Sequence, residues 1–317
     1  MYDTVDFYLS GIDIGGIDLL SEIPCYIEQD TIVEHRYKDG TTIEGRIKGL
    51  KVRIREKRIK VFGGSLCKWY FGDNYKTMTR EDARRAIERL SDTLHLPLDK
   101  AKVSRLDVAQ NVILENPVNV YLNHLGELRY TKRMEYRNGL YYEKKRGMKL
   151  CFYDKNKEQR AKQEPIQEEY KGKNVLRYEQ RYTARLGEQL KCKEVTGKML
   201  FTEEFYNNIV VKWFETYRAI NKIHDTAMNF EAIKTKRDLY KMGIISLAER
   251  FGGELGLLEQ IKEAQTVQKI NKMQARGLRT AVKNALEEDE ILTAYSEAIK
   301  ELDARVEEAA KQALFGE

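Results

Sequence analysis

The chain has 317 residues and a mass of 37.1 kDa, room for one large domain or two ordinary ones. Its hydrophobic share of 42% can fill a sizeable core, and its 33% of charged residues exceeds the roughly 25% of an average soluble domain, with a formal net charge of +6. No stretch reaches the ~18 uninterrupted apolar residues of a spanning helix, and four scattered cysteines without a C-x-x-C pair argue against a zinc site or a disulfide framework.

Residues 2–9, YDTVDFYL, alternate apolar and polar side chains and predict a half-buried strand. The start MYDTVDFYL has neither a basic nor an apolar leader region, so no signal peptide and a reducing, cytoplasmic setting are expected. Residues 43–62 alternate Ile47, Leu50, Val52, Ile54, Ile59 and Val61 with basic residues, and REKR at 55–58 is placed to turn a hairpin. Such strands have one apolar and one cationic face. Thr79 with Asp82 starts a helix whose buried stripe is Ala83, Ala86, Ile87, Leu90 and Leu94. Residues 102–114 read as a strand, and Asn116-Pro117 opens a helix. Residues 140–154 read as two strands, and 175–186 as another. From Thr202 onward the pattern is helical. The expectation is an α+β fold: a mixed or antiparallel sheet with flanking helices over 1–200, then an all-α region over 201–317.

The charge divides at the same place. Residues 201–317 hold 17 basic and 20 acidic residues, so the basic excess belongs to residues 1–200. It gathers at 46–68, with Arg46, Lys48, Lys51, Arg53, Arg55, Arg58 and Lys60, and at 129–162, with Lys144, Lys145 and Arg146. Such patches suit phosphate contacts and single out DNA as a partner; a merely solvated face is the plainer alternative. The four histidines His35, His95, His124 and His224 are far apart, so a histidine metal pair has no support. Polynucleotide chemistry here needs carboxylate ligands and a hydroxyl nucleophile. Asp107 and Glu179 lie inside apolar strands, where a carboxylate is costly unless it holds a metal or pairs with an arginine such as Arg105, Arg177 or Arg181. Tyr153 ends an apolar run, and Lys155, two residues on, would share its face on a strand.

Five blocks in order then resemble the filamentous-phage gene II protein family of replication initiators, and more loosely plasmid rolling-circle initiators. They are MYDTVDFYL, GGSLCKWYFGDN (63–74), VSRLDVAQ (103–110), LCFYDKNKEQ (150–159) and VLRYEQRYTARL (175–186). The resemblance covers roughly residues 1–200. It implies a site-specific DNA-nicking enzyme that starts rolling-circle replication through a 5′-phosphotyrosine and a free 3′-OH. It puts the nucleophile at Tyr153, with Lys155 on the same motif, and Asp107, Glu179 and Glu158 as Mg²⁺ or Mn²⁺ ligands. The absent histidine pair departs from the best-known ligand set. A non-catalytic DNA- or RNA-binding regulator and a mobilisation relaxase are the competing readings. Origin DNA, single-stranded or supercoiled duplex, is the expected partner, with a host helicase or a second copy of the chain as candidates for the tail and no membrane. Because the tail is net acidic, its expected work is packing, dimerisation or helicase recruitment. A stripe of Lys262, Lys269, Lys272, Arg276 and Arg279 at helical spacing is the counter-indication.

Overall fold

The computed structural model describes residues 1–145, 147–223, 225–228, 233–287, 293–294 and 297–316. Strand β1 (Tyr2–Ser10) lies in the middle of a ten-stranded antiparallel sheet. A meander of β2 (Val33–Tyr37), β3 (Gly40–Ile47), β4 (Leu50–Arg55) and β5 (Arg58–Phe62) returns to pair β5 with one edge of β1. On the other edge β1 pairs with β6 (Lys102–Leu114), followed outward by β10 (Asn174–Tyr182), β9 (Met148–Asp154), β8 (Gly139–Lys144) and β7 (Lys132–Tyr136).

The sequence from 43 to 62 contributes to three strands rather than one hairpin. Glu56-Lys57 turns the chain as expected, but Lys48-Gly49 turns it too, with φ of 44° and 85°. Positive φ at both central residues is the geometry that continues the strand twist. Strands β2 and β7 are not among those expected from the sequence. β7 joins β8 through Arg137-Asn138 ahead of Gly139, an Asn-Gly hairpin signal.

The helices of the first two hundred residues are α1 (Leu19–Glu22), α2 (Leu66–Phe71), α3 (Arg80–Leu94), α4 (Val118–Asn123), α5 (Lys155–Ala161) and α6 (Leu186–Leu190). α3 carries the expected capping box, in which Asp82 N donates to Thr79 Oγ1 and Thr79 N to Asp82 Oδ2. Its five stripe residues are all buried. After residue 200 come α7 (Glu203–Arg218), α8 (Lys236–Arg250), α9 (Glu254–Thr266), α10 (Lys272–Leu286) and α11 (Glu297–Phe315). The class is therefore α+β with an antiparallel sheet, followed by helices.

The packing divides elsewhere than at residue 200. Trp213 of α7 stacks on Tyr178, which stacks on Phe152, with ring centroids 4.6 and 4.4 Å apart. α11 adds Leu302, Val306 and Ala310 to the same core, and its Asp303 accepts from Tyr217 Oη at 2.5 Å. Both helices thus belong to the sheet's apolar face, because strand residues such as Leu176, Tyr178 and Tyr182 need an apolar cover. Between them, α8, α9 and α10 have a small apolar cluster of their own around Met242, Ile245 and Ala285. A short ribbon pairs 225–228 with 293–294 at the entrance and exit of this insertion.

Candidate active site

With one sheet face buried under α3, α7 and α11, the alternate side chains point to the other face. Cross-strand pairs run Arg53–Lys60 and Lys60–Tyr8 on the β4–β5–β1 side, then Asp6–Arg105, Asp107–Arg181 and Arg181–Lys149 toward β9. Tyr8 and Asp6 are two residues apart on β1, so this is one continuous face.

On it an ion pair joins Asp3 and Arg177, both buried. Arg177 Nη2 lies 3.1 Å from Asp3 Oδ2. Asp3 Oδ1 accepts from Ser65 Oγ at 2.7 Å and from Asn74 Nδ2 at 3.2 Å. Arg177 Nη1 donates to the carbonyl of Asn74 and to Asn111 Oδ1. Burial raises the Asp3 carboxyl, but Arg177, Ser65 and Asn74 together outweigh it and hold it down at about 2. Ser65 caps α2 and follows Gly64, where a Cβ would stand 2.6 Å from the carbonyl oxygen of Gly49, so only glycine lets 63–65 approach the β3–β4 turn.

Tyr153 faces Arg177 directly across the β9–β10 pairing. Its hydroxyl donates to Glu179 Oε2 at 3.3 Å. The same oxygen accepts from Arg181 Nη2 at 2.9 Å and lies 3.8 Å from Arg177 Nε. The tyrosine is 9% exposed, and burial pushes its hydroxyl well above the ordinary phenol value despite the pull of Arg177. A standing phenolate is therefore disfavoured, and a proton acceptor at the hydroxyl is required for attack. Gly139 lies opposite Tyr153 on β8, and a Cβ there would meet the Phe152 carbonyl oxygen at 2.3 Å and Tyr153 Cβ at 2.9 Å. One step along the face, Asp107 takes a two-point hydrogen bond from Arg105, at 3.0 and 2.6 Å. Burial, reinforced by the charge of Glu179, pushes the Asp107 carboxyl up to about 7 against the hold of Arg105. The Nε atoms of Arg177 and Arg181 are buried without a hydrogen-bond acceptor.

Asp107 and Glu179 are diagonal neighbours on adjacent strands and face the same side. Two carboxylates completed by a substrate phosphate form an ordinary Mg²⁺ environment, so the donor set fits a hard cation. Glu158 lies apart from them. On α5 it accepts from Lys155 at 2.8 Å and pairs with Lys162; burial raises its carboxyl, but those two lysines hold it below the ordinary value. Among the described residues, no three His, Cys, Asp or Glu side chains gather as a metal cluster.

Lys155 does not share the strand face of Tyr153. β9 ends at Asp154, which caps α5 by accepting from Lys157 N, and Lys155 begins that helix. Its ammonium is buried, 5.6 Å above the Tyr75 ring, and burial with nearby Arg177 pushes it down to about 8. Tyr75 in turn donates to Asn156 at 2.6 Å. An open cavity of about 560 Å³ reaches Tyr153 and Glu158 from solvent, with Tyr141, Asn123, Lys157 and Arg181 also on its wall. That size accommodates a nucleotide-scale ligand.

Of the basic residues expected to touch DNA, Lys51, Arg53, Arg55, Arg58 and Lys60 occupy the polar face of β4 and β5. Arg53 and Lys60 lie 5.1 and 4.9 Å from the Phe62 ring centroid. Arg46 pairs with Lys51 across β3, and Lys48 stands in the adjoining turn. Lys144 belongs to the opposite side: it pairs with Met148 and adds its charge near Lys212 of α7. Lys145 is exposed at the hairpin tip, and Arg146 lies outside the described residues. Tyr142 is buried and donates to the Gly126 carbonyl at 2.7 Å, whereas Tyr141 reaches the cavity. Sequence reasoning missed Asp3, Ser65 and Asn74 as site members. The available signal was a carboxylate in the second position of an apolar strand.

A sequence-family model described as the N-terminal part of the phage replication-associated gene II protein matches residues 1–233 of the chain. No curated protein matches it.

Proposed function

The chain belongs to the family of phage replication-associated gene II proteins, and on that premise we propose that it initiates rolling-circle replication by nicking origin DNA with Tyr153. The observations that carry the reading are the Tyr153 hydroxyl on Glu179 Oε2, across from Arg177, and the open cavity that Tyr153 lines. Glu179 takes the phenol proton as the tyrosyl oxygen attacks phosphorus. The P–O3′ bond breaks, the 3′ oxygen takes up a proton, and the 5′ phosphate stays on the tyrosine. The phosphotyrosine ester keeps the bond energy, so the strand can be rejoined without ATP, and the 3′-OH can prime a polymerase. Arg181, on the cavity wall, holds the charged phosphate, and Arg177 adds buried positive charge across from Tyr153. Lys155 adds buried positive charge and fixes the first turn of α5 beside the nucleophile.

A divalent cation, Mg²⁺ or Mn²⁺, held by Asp107 and Glu179 would polarise the scissile phosphate and offset charge on the phosphorane. Glu158 is left out of this ligand pair because it stands on α5, apart from the β6–β10 pairing that carries the other two carboxylates. Arg105 and Arg181 occupy the two carboxylates without DNA and are the natural residues to transfer to phosphate when DNA arrives. Asp107→Ala and Glu179→Ala should each abolish nicking while leaving DNA affinity within a few-fold, since phosphate contacts dominate affinity. Wild-type nicking by both folded variants rules out the ligand assignment.

The direct experiment is incubation of the protein and Mg²⁺ with supercoiled DNA carrying the parent replicon. The expected product is a nicked circle with protein attached. A nick without attached protein points to water as nucleophile and sinks the tyrosine mechanism. No helix among the described residues is long and apolar enough to cross a membrane.

A further inference from the structure

The family match ends at residue 233, where the three-helix insertion begins. The net acidic character of residues 201–317 conceals a segregation. Residues 233–287 contain eleven basic and six acidic residues, so the remainder of the tail holds six basic against fourteen acidic. From 264 to 286 there are five basic residues and no carboxylate.

α10 packs on α8 and α9 through a narrow seam of small residues, Ala275, Val282 and Ala285. A five-residue turn, 267–271, leads into it from α9. Asn271 caps it, accepting from Gln274 N at 2.9 Å, while Gln274 Oε1 accepts from Asn271 N. A capped helix with so narrow a packed seam leaves most of its circumference open. Lys272, Arg276, Arg279 and Lys283 follow one another at spacings of 4, 3 and 4. At about 100° per residue these four fall within about 60° of one another, a single cationic stripe. Arg279 is oriented by donating to Gln265 of α9 at 2.7 Å; Lys272, Arg276 and Lys283 are exposed. Beside the stripe, on the side away from the seam, α10 exposes Met273, Thr280 and Asn284.

We propose that α8–α10 form a second DNA-binding unit that grips B-form duplex, with α10 in the major groove. The stripe is complementary to a phosphate backbone, and the adjoining outward face offers an amide, a hydroxyl and a thioether to base edges. A helix of α10's diameter fits the B-DNA major groove and not the deep, narrow one of A-form RNA. The unit meets a need that the sheet site does not, since a cavity sized for one nucleotide reads unpaired DNA while an origin must also be found as duplex. Only the identity of that duplex as an origin rests on the nicking reading.

The test uses the full chain with Lys272→Gln, Arg276→Gln and Lys283→Gln combined, residues outside the candidate active site and its cavity. Duplex and single-stranded oligonucleotides are titrated across a range of salt. The expected result is a loss of roughly tenfold or more in duplex affinity, a salt slope shallower by about 2 to 3, and unchanged cleavage of a single-stranded substrate. If the triple variant unfolds, the single variants should each lower the slope by about 1. Unchanged duplex affinity and slope overturn the proposal, as does an equal loss on single strands or a preference for duplex RNA. A wild-type protein that binds duplex through this stripe but never nicks refutes the nicking reading and leaves the duplex unit standing.

Discussion

Tyr153→Phe should lose nicking, rejoining and covalent adduct together while keeping its fold and its DNA affinity. The substitution removes one oxygen and leaves the ring in place. The lost hydrogen bond, 3.3 Å to a carboxylate that Arg181 also holds, contributes little to stability. All three activities pass through one phosphotyrosine, so the expected fall is at least ~10⁴-fold, the scale seen when a covalent nucleophile is removed. Competition from other tyrosines is narrow. Tyr142, Tyr178 and Tyr182 are fully buried on the α7 side of the sheet, and Tyr178 donates to the Trp213 carbonyl at 3.0 Å. Tyr141 reaches the cavity but pairs with Cys151, two residues from Tyr153 and away from Arg177. Peptide mapping of the trapped adduct decides the matter. A nucleotide on any other tyrosine, or an adduct formed by the phenylalanine variant, overturns the assignment.

Asp3→Asn should be the most damaging substitution for stability within the site. It removes the nearer counter-ion of the buried Arg177 guanidinium and leaves only Glu179 at 3.8 Å, and breaking a buried pair typically costs about 3–5 kcal/mol. Urea unfolding at pH 7 measures this directly; a loss below about 1 kcal/mol would show that the pair is not structural. The pH dependence gives an independent check. The Asp3 carboxyl lies at about 2 when folded, below its ordinary 3.8. Its contribution is therefore present above pH 4 and lost as the pH falls through 2. The shift corresponds to about 2 kcal/mol. Wild-type stability should decline across pH 4 to 2 by about that amount more than the stability of the asparagine variant. Equal declines would place the acid sensitivity elsewhere.

The same pair explains why separate sequence blocks act as one site. Asp3 comes from β1, Ser65 and Asn74 from the segment flanking α2, Asn111 from β6, Tyr153 from β9 and Arg177 from β10. Their order along the chain says nothing of this convergence. It follows from β10 inserting between β6 and β9 and from 63–76 folding over the end of that face.

Local pattern was enough wherever one side of an element is buried. The alternation in 50–62 determined two strands and their cationic face, because a pleated strand sends successive side chains to opposite sides. Thr79, Asp82 and the 3.6-residue stripe determined α3, because capping and helical spacing are short-range. Asp107 and Glu179 were conspicuous as carboxylates in apolar strands. Tertiary structure alone decided the rest. Lys155 leaves the face of Tyr153 because Asp154 caps a helix there, and Lys144 falls on the α7 side through the register of its hairpin. Glu158 is taken by Lys155 and Lys162 instead of joining the other carboxylates. α7 and α11 belong to the sheet because its apolar face needs cover from residues far along the chain, which left α8–α10 as an insertion with a charge sign of its own. Composition averages over such a division, and only packing reveals which residues share a surface.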